Sequence, residues 1–137
     1  GEFEQQIKAG IQARPEFDRI HFLGYRKDMD RFFSGIDLFL LCSRNEGMAN
    51  VLNEAMSYGK PVISTRVPGS EELLGQGKYG ILVDVDDVEA MAAGVRALME
   101  QEVRFDPAEL RQWIDGQFGM HRMVAETNRL FFDTPLK

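Results

Sequence analysis

Short apolar runs alternate with helix-length amphipathic stripes along the chain, and this alternation is the strongest constraint on the fold. Residues 38–42 (LFLLC) form an uninterrupted apolar run of strand length, and residues 61–65 and 80–83 give two more. Continuous runs of this kind are typical of strands that are covered on both faces, as in parallel sheets. We therefore predict an α/β fold, a Rossmann-like parallel sheet with flanking helices, in which Cys42 is buried.

The segments between these runs carry apolar residues at helical spacing. They predict seven helices. The first ends before Arg14-Pro15, the second spans 29–36, and the third runs from about Asn50 to Gly59. The fourth runs from a Ser70 cap to Leu74, the fifth follows a capping box of Asp86 and Glu89, the sixth follows Asp106-Pro107, and the seventh spans 123–131. A fourth apolar run, residues 20–23 (IHFL), predicts one more strand, closed by Gly24. We assign residues 1–132 to a single partial domain and residues 133–137 to a frayed tail.

Net charge disfavours some classes of partner, and cysteine content indicates a cellular compartment. The 137 residues include 22 acidic and 16 basic side chains, a net charge of −6 that disfavours nucleic acid and anionic membrane surfaces. The single cysteine, with no signal segment and no long apolar span, favours the reducing cytoplasm. The chain begins with Gly1 rather than methionine, so we expect it to be part of a longer protein.

Two glutamates lie eight residues apart, Glu46 and Glu54, on either side of a predicted helix start. In an open parallel sheet, ligands bind beyond the carboxyl ends of the strands, and Glu46 follows the run at 38–42 directly. A helix start there favours an anion, and a carboxylate suits a vicinal diol. On spacing alone, however, the helix dipole explains the two acidic residues better than a binding site does.

The sequence from Glu46 to Val62 resembles the E-x7-E signature of retaining glycosyltransferase family four, the group 1 transferases of GT-B fold. The resemblance extends to four other blocks in the same order: residues 22–25 (FLGY), 37–43 (DLFLLCS), 68–73 (PGSEEL) and 80–83 (GILV). It covers nearly the whole chain and implies the carboxyl-terminal domain, which binds a nucleotide-diphosphate sugar. Two departures are Met48-Ala49, where the family often has an aromatic residue and glycine, and Cys42, where it often has proline.

The resemblance also implies roles for particular residues. Glu46 would contact hydroxyls of the donor sugar as the catalytic-site carboxylate, in an orienting role rather than as a covalent nucleophile. The backbone of Gly47, Met48, Ala49 and Asn50 would face the sugar and the distal phosphate, and Val51 would lie beside the phosphate. Glu54 would hold the ribose, and Tyr25 and Arg26 would read the base. Apart from the resemblance, Arg44 and Arg66 both follow strand ends, which indicates either a phosphate contact or plain solvent exposure. No metal and no cofactor are implied.

The family also uses parts that this sequence lacks. These are an amino-terminal domain for a saccharide or lipid-linked acceptor and a loop that supplies an arginine and a lysine. We therefore expect a transferase of polysaccharide or glycolipid biosynthesis, cytoplasmic or at the membrane periphery as the full-length protein, and a chain that is inactive alone. An epimerase of the same fold and a non-catalytic nucleotide-binding module are the alternatives.

The resemblance has a structural consequence for the sheet. The family strand order is 3-2-1-4-5-6, and the four runs correspond to the third through sixth strands. The run at 38–42 would then have an unpaired apolar edge. We expect this edge to be covered by strand re-pairing or by a second copy of the chain in a homodimer.

Overall fold

A computed structural model describes residues 2–46 and 49–119 of the chain. Three parallel strands form its sheet in the order β1-β2-β3: β1 (Phe39–Leu41), β2 (Val62–Thr65) and β3 (Ile81–Val83). The helices are α1 (Glu2–Ile11), α2 (Met29–Gly35), α3 (Asn50–Ser57), α4 (Pro68–Leu73), α5 (Val88–Met99) and α6 (Pro107–Phe118), with short 3-10 turns at Phe17–Arg19 and Gly75–Gly77. The predicted α/β class and parallel sheet are confirmed.

The strand β2 is the centre of the fold. All of its residues are buried, and it pairs with β1 through Leu40–Ile63 and with β3 through Thr65–Val83. Its side chains point alternately to the two faces of the sheet, and the crossover helices cover both faces. The described strands keep the family order of fourth, fifth and sixth, so the expected re-pairing does not occur among them.

The main core lies between one face of the sheet and the helices α2, α3 and α6. Its members are buried apolar side chains that include Phe33, Leu52, Met56, Val62, Leu74, Leu110 and Ile114. The other face of the sheet is covered by α5, which packs on β2 and β3. Gly94 permits this close packing, since a Cβ there would lie 3.2 Å from Ile63 Cδ1. The predicted two-layer covering therefore holds for β2.

The edge strand β1 differs from its prediction. Leu40 is 42% exposed and Cys42 is exposed, so the prediction that this run is covered on both faces is wrong. The reason is the position of β1 at the edge, beyond the strands on which α5 packs. An apolar run shows that a strand is suited to burial, but a second helix must be present to supply it.

Residues 20–23 were predicted as a strand, and this prediction is also wrong. The segment is irregular, and Ile20 and Leu23 are exposed. A strand exists only when its backbone pairs with a neighbour, and the sheet of the described residues ends at β1. In the family order this run is separated from β1 by two further strands, so it has no partner here.

Helix α3 begins at Asn50 as predicted, with Ala49 as its N-cap. Two other helix starts differ from the predicted caps. The N-cap of α4 is Val67 rather than Ser70, because Pro68 occupies the first helical turn. Ser70 is instead buried inside α4, where its hydroxyl lies 2.8 Å from that of Ser64. The N-cap of α5 is Asp87, whose carboxylate accepts from the Ala90 amide at 2.9 Å.

The last helices are only partly described. The Asp106 cap and Pro107 at the start of α6 are confirmed, with the Asp106 carboxylate accepting from the Ala108 amide at 2.8 Å. The predicted helix over 123–131 and the tail at 133–137 lie outside the described residues. In residues 2–46 and 49–119, no helix combines the length and the apolarity needed to cross a membrane.

The Gly59→Ala substitution is expected to lower the free energy of unfolding by about 2 kcal/mol. Gly59 follows α3 with a φ of +68°, which L-residues rarely adopt, and its amide donates to the Met56 carbonyl at 2.8 Å. A Cβ there would also lie 2.8 Å from Pro107 Cβ. Urea unfolding followed by Trp113 fluorescence measures the change.

Gly116→Ala is the matched control. Gly116 lies inside α6 with no atom within 4 Å of the added Cβ, so the change should raise stability by about 0.5–1 kcal/mol. Equal effects of the two substitutions would contradict the conformational requirement at Gly59.

Candidate functional site

The carboxyl ends of the three strands form one rim of the molecule. Parallel pairing in register places Leu41 beside Ser64 and Thr65 beside Val83, so the loops that follow β1, β2 and β3 leave the sheet together. In open α/β sheets this rim is where ligands bind. Glu46 lies in the first of these loops, and α3 begins directly after it.

Glu46 is held by its own loop. Its side chain is half-buried, and Oε1 accepts a hydrogen bond of 2.7 Å from the Ser43 hydroxyl. The Ser43 carbonyl in turn accepts a hydrogen bond from the hydroxyl of Thr65, the last residue of β2. The loop is therefore fixed to the central strand, and the carboxylate is fixed to the loop.

The start of α3 presents backbone amides to the same rim. The first N–H groups of a helix have no acceptor within it, so an anion at this helix start would meet the amides of Asn50 and Val51. Ala49 is 1% exposed with φ −80° and ψ 62°, a conformation that does not require glycine. Alanine therefore causes no backbone strain here. Gly47 and Met48 lie outside the described residues.

Glu54 lies in the second turn of α3. Its side chain is exposed and makes no ion pair or side-chain hydrogen bond with the residues that the structure describes. It is thus free to accept from a ligand. Its assignment to a ribose stays a prediction, as do the roles of Glu46, Ala49, Asn50 and Val51.

Tyr25 and Arg26 lie in the irregular segment before α2. They line a cavity of about 540 Å³ between α1, the irregular segment and α2, with other lining residues Glu4, His21, Phe22, Leu23, Gly24, Met29 and Phe32. Neither Glu46 nor Glu54 lines this cavity. Tyr25 is 90% exposed, so its ring is available for contact with a planar group.

Arg26 is already engaged by a neighbour. Its Nε donates to Asp28 Oδ1 at 2.9 Å, and its Nη2 contacts Asp28 Oδ2. The hydrogen bond from Arg26 lowers the pKa of the Asp28 carboxyl below its usual 3.8. The base-reading role of Tyr25 and Arg26 stays a prediction, and Asp28 holds the Arg26 side chain in one orientation.

The two arginines that follow strand ends are also paired. Arg44 donates from Nε and Nη2 to Asp86 Oδ1 at 3.1 and 2.9 Å. Arg66 donates to Glu71 at 3.1 Å and to Asp84 at 3.4 Å, and the Glu71 contact is the main cause that raises the Arg66 pKa. The arginines thus link the loops of the rim, and Asp86, predicted to cap α5, serves this link instead.

Sequence reasoning missed Ser43 and Thr65 as residues of the site. Thr65 ends β2 and Ser43 lies in the loop just after β1, and the ends of two adjacent parallel strands meet at one edge once the register is known. The sequence shows both residues as polar positions at the ends of apolar runs, but only the register shows that they meet. The described residues contain no group of three His, Cys, Asp or Glu side chains arranged to hold a metal ion.

An open parallel sheet with its loops gathered at the carboxyl ends defines the class of Rossmann-like ligand-binding domains. Residues 1–101 match the sequence model of the glycosyl transferases group 1. The chain belongs to this family, as the carboxyl-terminal domain of a GT-B glycosyltransferase.

Curated relatives share about a third of their residues with the chain where they align. One is the lipopolysaccharide core biosynthesis glycosyltransferase LpsE of Rhizobium meliloti (strain 1021), 32% identical over 85% of this chain and 35% of its own length. Another is the N-acetyl-alpha-D-glucosaminyl L-malate synthase of Bacillus anthracis, 32% identical over 85% of this chain and 31% of its own length. The chain therefore spans about a third of the relatives it matches.

A solved structure confirms the fold. Anabaena Alr3699/HepE in complex with UDP aligns with a TM-score of 0.83 at 23% identity, over 95% of this chain and 37% of that protein. The same protein with UDP-glucose aligns with a TM-score of 0.57 at 24% identity, over 91% of this chain and 37% of that protein. The similarity shows that the described strands and helices are a part of a GT-B structure.

The Arg26→Gln substitution is expected to raise the Asp28 pKa toward 3.8, because it removes the hydrogen bond that lowers it. A carboxyl whose pKa is lowered by folding stabilises the protein above its unfolded-state pKa, and this contribution is lost as the pH falls through the folded-state pKa. NMR titration of the Asp28 side-chain carbon measures the shift.

Arg31→Gln is the control for this titration. Arg31 is exposed on α2, close to Asp28 in sequence, but it is not among the groups that shift the Asp28 pKa. An Asp28 pKa that moves equally in both variants would contradict the specific role of Arg26.

Proposed function

We propose that this chain is the donor-binding part of a retaining glycosyltransferase. In the full-length protein it moves a sugar from a nucleotide-diphosphate sugar to a saccharide or lipid-linked acceptor, in polysaccharide or glycolipid biosynthesis. The observation that carries the proposal is the match of residues 1–101 to the group 1 transferases. The name of the LpsE relative and the UDP and UDP-glucose complexes of the structural relative support it.

The reaction breaks the bond between the anomeric carbon of the donor and its diphosphate. Negative charge grows on the leaving phosphate while the sugar becomes oxocarbenium-like, so electrostatic stabilisation of the phosphate lowers the barrier. The amides at the start of α3, those of Asn50 and Val51, lie at the positive end of the helix dipole and suit this task. The backbone of residues 47–49 faces the sugar and the distal phosphate in this proposal.

Each side chain contacts a different part of the donor in this proposal. Glu46, fixed by Ser43 at 2.7 Å, accepts from sugar hydroxyls and orients the sugar. Glu54, whose exposed carboxylate makes no hydrogen bond or ion pair with the described residues, accepts from the ribose diol. Tyr25 and Arg26 meet the base from the cavity beside α2.

The acceptor belongs to the amino-terminal domain in this proposal. The chain alone then binds donor but does not transfer sugar, since the acceptor site and the additional arginine and lysine of the family are outside it. The proposed location is the cytoplasm or its membrane surface, where a lipid-linked acceptor is reached.

A panel of UDP-sugars and GDP-sugars, titrated calorimetrically against the full-length protein, tests the proposal. Glu46→Ala should weaken binding of the nucleotide sugar about tenfold and leave the matching nucleoside diphosphate unchanged, because the lost hydrogen bonds go to the sugar. Glu54→Ala should weaken both ligands by a similar factor, because both carry the ribose.

Glu100→Ala is the control, since Glu100 is exposed at the opposite end of α5 from the rim. Transfer is then measured with the bound donor and a mixture of saccharide and lipid-linked acceptors. Donor interconversion without transfer would indicate an epimerase, and binding without turnover a nucleotide-binding module. Either result would contradict the proposed transferase.

We also propose that the isolated chain forms a homodimer through the edge of β1. Leu40 is 42% exposed there, and the edge has backbone groups to which a strand of a second copy can pair. Light scattering after size exclusion should give twice the monomer mass, and Leu40→Lys should return the monomer. Val88→Lys, on a 74% exposed residue of α5, should not. A wild-type chain of monomer mass would contradict the dimer.

A further inference from the structure

A chain of hydroxyl groups connects the central strand to the carboxylate of Glu46. The Ser43 hydroxyl donates to Glu46 Oε1 at 2.7 Å, and both side chains are half-buried. A hydroxyl that donates to a carboxylate makes one of the stronger neutral-to-ion hydrogen bonds, and partial burial strengthens it further. The contact therefore selects one orientation of the Glu46 side chain.

Thr65 secures the backbone from which Ser43 acts. Its side chain is at the buried end of β2, 4% exposed, and its hydroxyl donates to the Ser43 carbonyl. The Leu41 carbonyl lies 3.4 Å from the same hydroxyl, at the end of β1. Thr65 thus joins the ends of two strands to the loop that carries Glu46.

We infer that Ser43 and Thr65 are positioning residues that preorganise Glu46 for the donor sugar. The inference rests on the proposed role of Glu46 and assigns to these two hydroxyls a function beyond folding. Among the described residues, the carboxylate of Glu46 is engaged by Ser43 at Oε1, which leaves Oε2 to accept from a sugar hydroxyl.

The two hydroxyls hold different parts of the loop. Ser43 touches the carboxylate itself, so its loss frees the side chain of Glu46 to rotate. Thr65 touches only the backbone of residue 43, so its loss frees the loop as a whole. A preorganised group binds more tightly because less freedom is lost when the ligand arrives. Because both hydroxyls act through the position of Glu46, which contacts the sugar, the loss of affinity should be larger for the nucleotide sugar than for the nucleoside diphosphate.

The experiment compares two ligands in the full-length protein: UDP-glucose with UDP, or GDP-mannose with GDP, whichever pair the panel shows to bind. Ser43→Ala should weaken the nucleotide sugar about five- to tenfold, the scale of one hydrogen bond to a charged group. The nucleoside diphosphate should change less than twofold. Ser43→Thr keeps the hydroxyl and should restore the nucleotide sugar.

Thr65→Val removes the second hydroxyl at nearly constant volume, and Thr65→Ser retains it. Thr65→Val should weaken the nucleotide sugar in the same direction as Ser43→Ala, and Thr65→Ser should bind like the wild type. Ser57→Ala is the matched control, because the Ser57 hydroxyl donates at 2.7 Å to the Glu54 carbonyl in α3 and contacts no carboxylate. It should change neither ligand.

The outcomes separate the inference from the function on which it rests. If Glu46→Ala leaves the nucleotide sugar unaffected, or if no nucleotide sugar binds, the proposed role of Glu46 fails and the inference fails with it. If Glu46→Ala weakens the nucleotide sugar but Ser43→Ala does not, the positioning role alone is overturned. Equal weakening of both ligands by Ser43→Ala and Thr65→Val would show a general effect on folding, which also overturns it.

Discussion

The parallel pairing of β2 with a strand on each side is the interaction on which the other features depend. All residues of β2 are buried, and its register with β1 and β3 brings three loops to one rim. Without that register, Glu46 and the start of α3 would have no common edge with the loops after β2 and β3. The helices then follow from the need to cover both faces of this strand.

Much of the fold could be predicted from local patterns. The predictions of strands β2 and β3 and of helices α2, α3, α5 and α6 are confirmed. Periodicity of apolar residues, with glycine and proline at the ends of the elements, is enough to predict them. The irregular structure of residues 20–23 and the exposure of Leu40 could not be predicted in this way. Both depend on partners elsewhere in space, and an apolar pattern does not report whether such a partner is present.

The candidate site shows the same division. The position of Glu46 after a strand end and the start of α3 beside it could be predicted, because both are local in sequence. The contact between Thr65 and the Ser43 carbonyl joins residues far apart in the chain, and only the strand register reveals it. The arginines illustrate a further difficulty: a basic residue after a strand suggests an anion, yet Arg44 and Arg66 are satisfied by carboxylates of the protein itself.

The ion pairs of Arg44 and Arg66 are exposed to solvent, unlike the hydrogen bonds of the sheet. Arg44 and Asp86 are 78% and 67% exposed in their side chains, so dissolved ions screen their attraction strongly. The backbone ladder between the strands carries no net charge and is largely indifferent to ionic strength. Concentrated salt should therefore loosen the arginine links between the loops of the rim while the strands beneath them stay in place.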